Sequence, residues 1–383
     1  MSAVPRPVID LPGAEPPMVD LRTAVTNGRG SMIEVSRAHR SRIAPPSLLV
    51  GAVTNDLLRL YHSQSVVLGT AIYRIPDATV LGEGLVMTDG CFNVGHDLNL
   101  DRTYVAQRYA PTHAWLPKAP KRHIARPVVL LTGAGHLGYG HWLVDFLPKL
   151  HLLRLAGYRP GRLTFLMPSD SPAFARHWLA MLGIEPHQCA FYDRTREVVV
   201  CRELIVPSTL RFGTRVSPLF ARASAELRDA AAPRRFRRFR RNPRRRIFVA
   251  RTVNAATHST RALVERALFE ETARRRGFAV VSPERLGIRE QVELFADAGT
   301  ICGEYGSGLH ASMFSGAGTL VMAARDDTAD LGFLQSGIDQ ALDHHNGYVI
   351  GASVGDGRFS VDPADLELAF DWLDWGGPGR AAP

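Results

Sequence analysis

His141 and Asp145 stand four residues apart in the segment GHWLVDF. On a helix that spacing puts both on one face, where a carboxylate can orient an imidazole or serve as a base itself. A histidine at a helix start and an aspartate favoured by the dipole would leave the same pattern with no chemistry attached. Further along, residues 299–324 read GTICGEYGSGLHASMFSGAGTLVMAA. Gly303, Gly306 and Gly308 open the backbone after a short apolar run, and Leu309, Met313 and Phe314 recur at helical spacing. A helix over 309–317 would aim free N–H groups and its positive end at the loop, a seat for a phosphate or diphosphate. The same pattern fits an ordinary crossover whose glycines only make a tight turn. Glu304 and Tyr305 lie inside the loop, where a carboxylate could bind a sugar or ribose hydroxyl or simply face solvent. Arg251 closes the apolar run RRIFVAR. At a strand's C-terminal end it could grip a diphosphate bidentately, or be one more surface arginine.

Two further features compete with these. GAGHLG, residues 133–138, matches the dinucleotide fingerprint literally, but the next strand does not end in the acid that a ribose contact needs, so a tight turn is the better reading. RRFRRFRRNPRRR, residues 234–246, is a basic run with two phenylalanines, suited to a linker, an anionic membrane surface or nucleic acid. No nucleic-acid fold signature accompanies it, so specific nucleic-acid recognition is not expected. The chain contains no Asp-x-Asp, so a bound diphosphate would be met by arginine, amides and a helix dipole, with no metal.

The elements that must position these groups follow from periodicity. A chain of 383 residues with a net charge of +9 suits two α/β domains. The four cysteines are too scattered for a zinc site or a disulfide framework. The N-terminus lacks a signal-type apolar core and no run is long enough to span a bilayer, so a cytoplasmic protein is expected. Residues 1–60 read as a partly ordered lead-in. Residues 65–92 read as a small hairpin region with a turn at Asp89-Gly90. From 127 strands and helices alternate, as in a parallel sheet covered on both faces. Pro148 should kink the helix that carries His141 and Asp145. The expected divisions are an α/β domain over 61–233, the arginine-rich linker 234–246, a second α/β domain over 247–353, and a C-terminal helix and tail over 354–383. In the second series Ser259 or Thr260 should cap a helix that ends at Gly277.

Taken together and in order, AIYRIPDATVLGEG, GHWLVDFLPKLHLL, Arg251 in IFVAR, and GFAVVSPERLGIREQVELFADAGTICGEYGSGLHASMFSGAGTLVM resemble glycosyltransferase family 61, over roughly residues 65–350. The resemblance implies an α/β protein with two Rossmann-like domains facing a cleft, the GT-B type. It implies a metal-independent, inverting transfer, with no cofactor, from a nucleotide sugar of UDP-linked type to a cell-surface polysaccharide or lipid-linked glycan. The donor diphosphate would lie between Arg251 and the loop Gly303, Glu304, Tyr305, Gly306, Ser307, Gly308, Leu309, His310. Asp145 would be the base with His141 as partner or substitute, both on the acceptor side. The arginine run would then hold the enzyme at the inner face of an anionic membrane. Departures from the family pattern are Glu304 and Tyr305 where Ala and His are usual, His310 and Ala311 where Thr and Asn are usual, Ala323 or Ala324 in place of Glu, and Gly140 or a neighbour in place of Asn. The alternative is a basic protein that binds nucleic acid or a membrane surface through 234–246 without catalysis.

Overall fold

The computed structural model describes residues 17–109, 119–231, 245–251, 262–328 and 333–377. The chain is α/β and forms two compact units built from interleaved segments. The first draws its described residues from Met1–His39, Leu68–Leu137 and Lys149–Phe212. The second draws on Arg40–Val67, Gly138–Pro148 and Gly213–Pro383.

The first unit is built on a ten-stranded mixed sheet. Its axis is Val198–Pro207, antiparallel to Ala71–Leu81 on one side and parallel to Val128–Leu130 on the other. Phe165–Pro168 and Cys189–Tyr192 extend the parallel half. The expected hairpin region is the antiparallel half of this sheet. At its tip Asp89 and Gly90 both adopt positive φ, 49° and 76°, and join Leu85–Thr88 to Cys91–Val94. Two left-handed residues in sequence match the twist of the strands they connect. Within the expected lead-in, Met18–Asp20 and Ser31–Glu34 pair with Cys91–Val94 and Ala71–Leu81.

The second unit has an eight-stranded sheet whose parallel core runs Leu48–Gly51, His345–Gly355, Leu320–Asp326, Thr300–Glu304, Arg246–Val249, Ala279–Val281. Thr300–Glu304 and Leu320–Asp326 are buried along their whole lengths, as strands covered on both faces must be. Helices Arg266–Arg275, Ile288–Ala296 and Pro363–Asp374 are also part of this unit. The C-terminal helix is capped by Asp362, and Phe370 and Trp372 join the same core as Phe248 and Phe269. Gly277, at φ 77°, ends its helix as expected. Ser259 and Thr260 lie outside the described residues. So does most of the arginine run. The two described members are paired: Arg245 with Asp297 at 2.9 Å and Arg246 with Asp374 at 2.5 Å. Among the described residues no helix is long and apolar enough to cross a membrane.

Candidate active site

The segment carrying His141 and Asp145 was expected within 61–233, yet it clusters with the second unit. It is not one continuous α-helix. Tyr139–His141 is a single α turn, Trp142–Phe146 is a wider π turn closed by the Leu147 amide on the Trp142 carbonyl at 3.0 Å, and α-helix resumes at Lys149. Pro148 has no N–H to give and its ring crowds the carbonyl four residues back, so the chain widens before it. Trp142, Leu143, Val144, Phe146 and Leu147 are all buried, which fixes the turn on nearly every side. On its remaining face His141 Nδ1 meets Asp145 Oδ2 at 2.7 Å. The Asp145 side chain is 4% exposed and that of His141 43%. A buried carboxylate thus orients a half-exposed imidazole.

The glycine loop follows strand Thr300–Glu304. Gly303 lies within that strand, opposite Val249. A Cβ there would come 2.5 Å from the Val249 carbonyl oxygen, so it is the neighbouring strand that demands glycine at this position. Gly306 opens on free space, and a Cβ at Gly308 would meet Val249 Cγ1 at 3.2 Å. The helix expected over 309–317 is a six-residue 3₁₀ turn, Leu309–Phe314. The Leu309 amide already bonds the Gly306 carbonyl at 3.0 Å, and Ala311 bonds Gly308 at 3.3 Å. So short a turn aligns few peptide dipoles, and charge at this loop rests more on side chains.

Those side chains are arginines around Glu304. Arg266 Nε lies 2.5 Å from Glu304 Oε1 and its second nitrogen 3.1 Å from Oε2. Arg251 stands 3.9 Å from the same carboxylate. Two guanidinium groups on one buried carboxylate leave a net positive charge beside the loop. Glu304 therefore holds arginines in place, which leaves it poorly suited to a sugar hydroxyl. Tyr305 is buried: its hydroxyl accepts from the Leu334 amide at 3.2 Å, and Arg325 lies 5.5 Å from its ring centroid. Ser307 is exposed and His310 buried.

The two halves of the site meet at Gly140. A Cβ on this residue would lie 2.9 Å from Ser307 Oγ and 3.1 Å from His310 Cδ2, so the turn carrying His141 rests against the glycine loop. Tyr139 ties the same turn down from its other side, donating to Gln291 Oε1 at 2.6 Å. The fold thereby gathers His141, Asp145, Ser307 and His310, and beside the start of the loop Arg251 and Glu304. Sequence reading missed Arg266, Gln291 and the contact made by Gly140. An arginine near a helix start and a glutamine on a helix face carry no signal of their own. Gly140 had one, a glycine just ahead of a paired His and Asp.

GAGHLG is a turn of another kind. The Gly135 amide donates to Glu83 Oε2 at 3.0 Å, so the chain's own carboxylate occupies the place a phosphate would need. The buried His136 bonds Asp170 at 3.1 Å.

The family model described as Glycosyltransferase 61 matches residues 139–322, a span that takes in His141, Asp145, Arg251, Arg266 and the whole glycine loop. No curated protein matches the chain. Over that span the chain is similar to glycosyltransferase family 61, which supports reading it as a glycosyltransferase.

Proposed function

We propose that this protein moves a sugar from a nucleotide-sugar donor, UDP-linked by expectation, to a hydroxyl of a cell-surface polysaccharide or lipid-linked glycan. The reaction inverts the anomeric centre and needs no metal or cofactor. The observation that carries this reading is the 2.7 Å His141–Asp145 contact on a turn packed against the glycine loop. The exposures favour a division of labour opposite to the one expected from sequence. His141 Nε2 takes the proton of the acceptor hydroxyl as its oxygen attacks the anomeric carbon. Asp145 holds the ring through Nδ1 and steadies the imidazolium that forms. The bond from the anomeric carbon to the diphosphate oxygen breaks on the opposite face. The departing charge is met by Arg251, Arg266 and the loop amides.

A GT-B arrangement, a cytoplasmic location and peripheral attachment through 234–246 belong to the same proposal. The test is a panel of nucleotide diphosphates and their sugars, screened by thermal shift and then by turnover. His141→Asn should lower kcat about 10²–10⁴-fold with the best donor, and Asp145→Asn should follow it, while both still bind the nucleotide. Near-normal turnover in His141→Asn would remove it from the role.

A further inference from the structure

The buried face of helix Ile288–Ala296 reads Ile288, Gln291, Val292, Phe295, an apolar stripe at helical spacing with one amide in it. Gln291 is 6% exposed, and a leucine would fill such a position with no polar group to satisfy. Both ends of the amide are nevertheless occupied. Its nitrogen donates to the Leu286 carbonyl at 3.0 Å, so its oxygen faces Tyr139, whose hydroxyl donates to it at 2.6 Å. A phenol has one hydrogen to give, so Tyr139 commits it inside the protein and gives none to a substrate. One turn further along the same helix, the Phe295 carbonyl accepts from Ser315 Oγ at 2.8 Å, just past the 3₁₀ turn Leu309–Phe314 that follows the glycine loop. A third contact, Gly140 against Ser307 and His310, joins turn and loop directly. All of these residues belong to the second unit. The turn carrying His141 has no side chain capping its start. Gly138 stands there, and the Trp142 amide reaches the Gly138 carbonyl at 3.3 Å. The bond to Gln291 supplies the hold that a cap would give. Residues two apart on a helical turn point to different sides, so Tyr139 can be pinned while the His141 side chain stays 43% exposed.

We propose that Gln291 is a positioning residue: through the Tyr139 hydroxyl it fixes the turn that carries His141, and its helix also fixes the end of the glycine loop, so one rigid element sets the distance from base to donor. The proposal rests on reading His141 as the base and the loop as the donor seat. In-line transfer tolerates little error, and a misplacement of about 1 Å can cost about 10²-fold in rate. A satisfied polar pair at a core position holds the turn in one place, where apolar packing alone would let it slide.

The first test needs no substrate. Amide hydrogen exchange of the full chain, read by mass spectrometry, compares the wild type with Tyr139→Phe and Gln291→Met. Tyr139→Phe deletes a single oxygen, so it keeps the test decisive should Gln291→Met fail to fold. Peptides covering residues 139–147 should exchange about tenfold faster in the variants, while those from Thr300–Glu304 and Leu320–Asp326 keep wild-type rates. No change at 139–147 overturns the proposal. Faster exchange throughout the second unit also overturns it, by making the pair ordinary packing. The second test uses the best donor of the nucleotide-sugar panel. Each variant should lower kcat about tenfold or more with the donor KM near wild type, and the double variant should lose no more than the worse single, because both remove one bond. Additive losses, or a loss that lies in KM, overturn the proposal. If His141→Asn stays active while exchange at 139–147 rises locally, the transferase mechanism fails and the positioning device stands. If His141→Asn is inactive and both variants turn over at the wild-type rate, only the present proposal fails.

Discussion

At the scale of single residues, the loop shows how one neighbour can change what a side chain is for. Glu304 is an acid in a glycine loop, and in sequence an acid there suggests a hydroxyl contact. In the structure its oxygens are taken by Arg266 and approached by Arg251, and its side chain is 3% exposed. Removing its charge should leave two guanidinium groups without their counter-charge. Glu304→Gln is expected to cost about 1–3 kcal/mol in urea unfolding, and to loosen nucleotide diphosphate binding because the arginines lose their anchor. Unchanged stability together with tighter binding would mean that the carboxylate competes with the ligand. Gly303 presents a similar shift of purpose. It reads as room for a ligand, yet the Val249 carbonyl fills that space, so Gly303→Ala should destabilise by about 1–3 kcal/mol through strand displacement. A melting temperature equal to the wild type would contradict that account. Neither arginine contact was legible beforehand, because a long side chain reaches its partner across elements whose spacing sequence does not encode.

At the scale of elements, local signals proved readable and non-local ones did not. The Asp89-Gly90 turn, the Gly277 helix end and the wholly buried strand Leu320–Asp326 are each written within a few residues. The 3₁₀ turn at Leu309–Phe314 was not, because its apolar spacing is the same as that of a longer α-helix. It ends where Ser315 donates through its hydroxyl to the Phe295 carbonyl at 2.8 Å, a contact made across the chain. Likewise Leu48–Gly51 joins the second sheet by pairing with His345–Gly355, a partner some 300 residues away. The turn at residues 139–146 combines both cases. Pro148 announced an interruption, but the contact of Gly140 with the loop came only from the fold. Gly140→Ala tests that contact: the added methyl must displace Ser307 and His310, which are on a loop and can yield. Turnover should therefore fall at least tenfold while the melting temperature moves by only a few degrees. Equal losses in both would make the glycine a packing residue.

At the scale of the whole molecule, the buried histidines give the fold a measurable pH dependence. His136 is buried, and burial holds its pKa below the usual value although Asp170 pulls it up. His96 is lowered for the same reason, against the pull of Asp97. An unfolded histidine takes a proton near pH 6.5. Below that value the unfolded chain binds protons that the folded chain refuses, so stability falls as pH falls. Asp170 acts in a different window. Burial pushes its carboxyl up, but the hydrogen bonds from Arg194 and His136 outweigh this and hold it low. Its contribution is present above the unfolded value near pH 4 and is lost only as pH drops through the folded one. Comparison of wild type with His136→Gln between pH 7.5 and 5 isolates the first effect. Glutamine can still donate to Asp170 but takes up no proton. The melting temperature of the wild type should fall more over this range than that of the variant, and parallel curves would show that His136 is protonated as readily inside the fold as outside it.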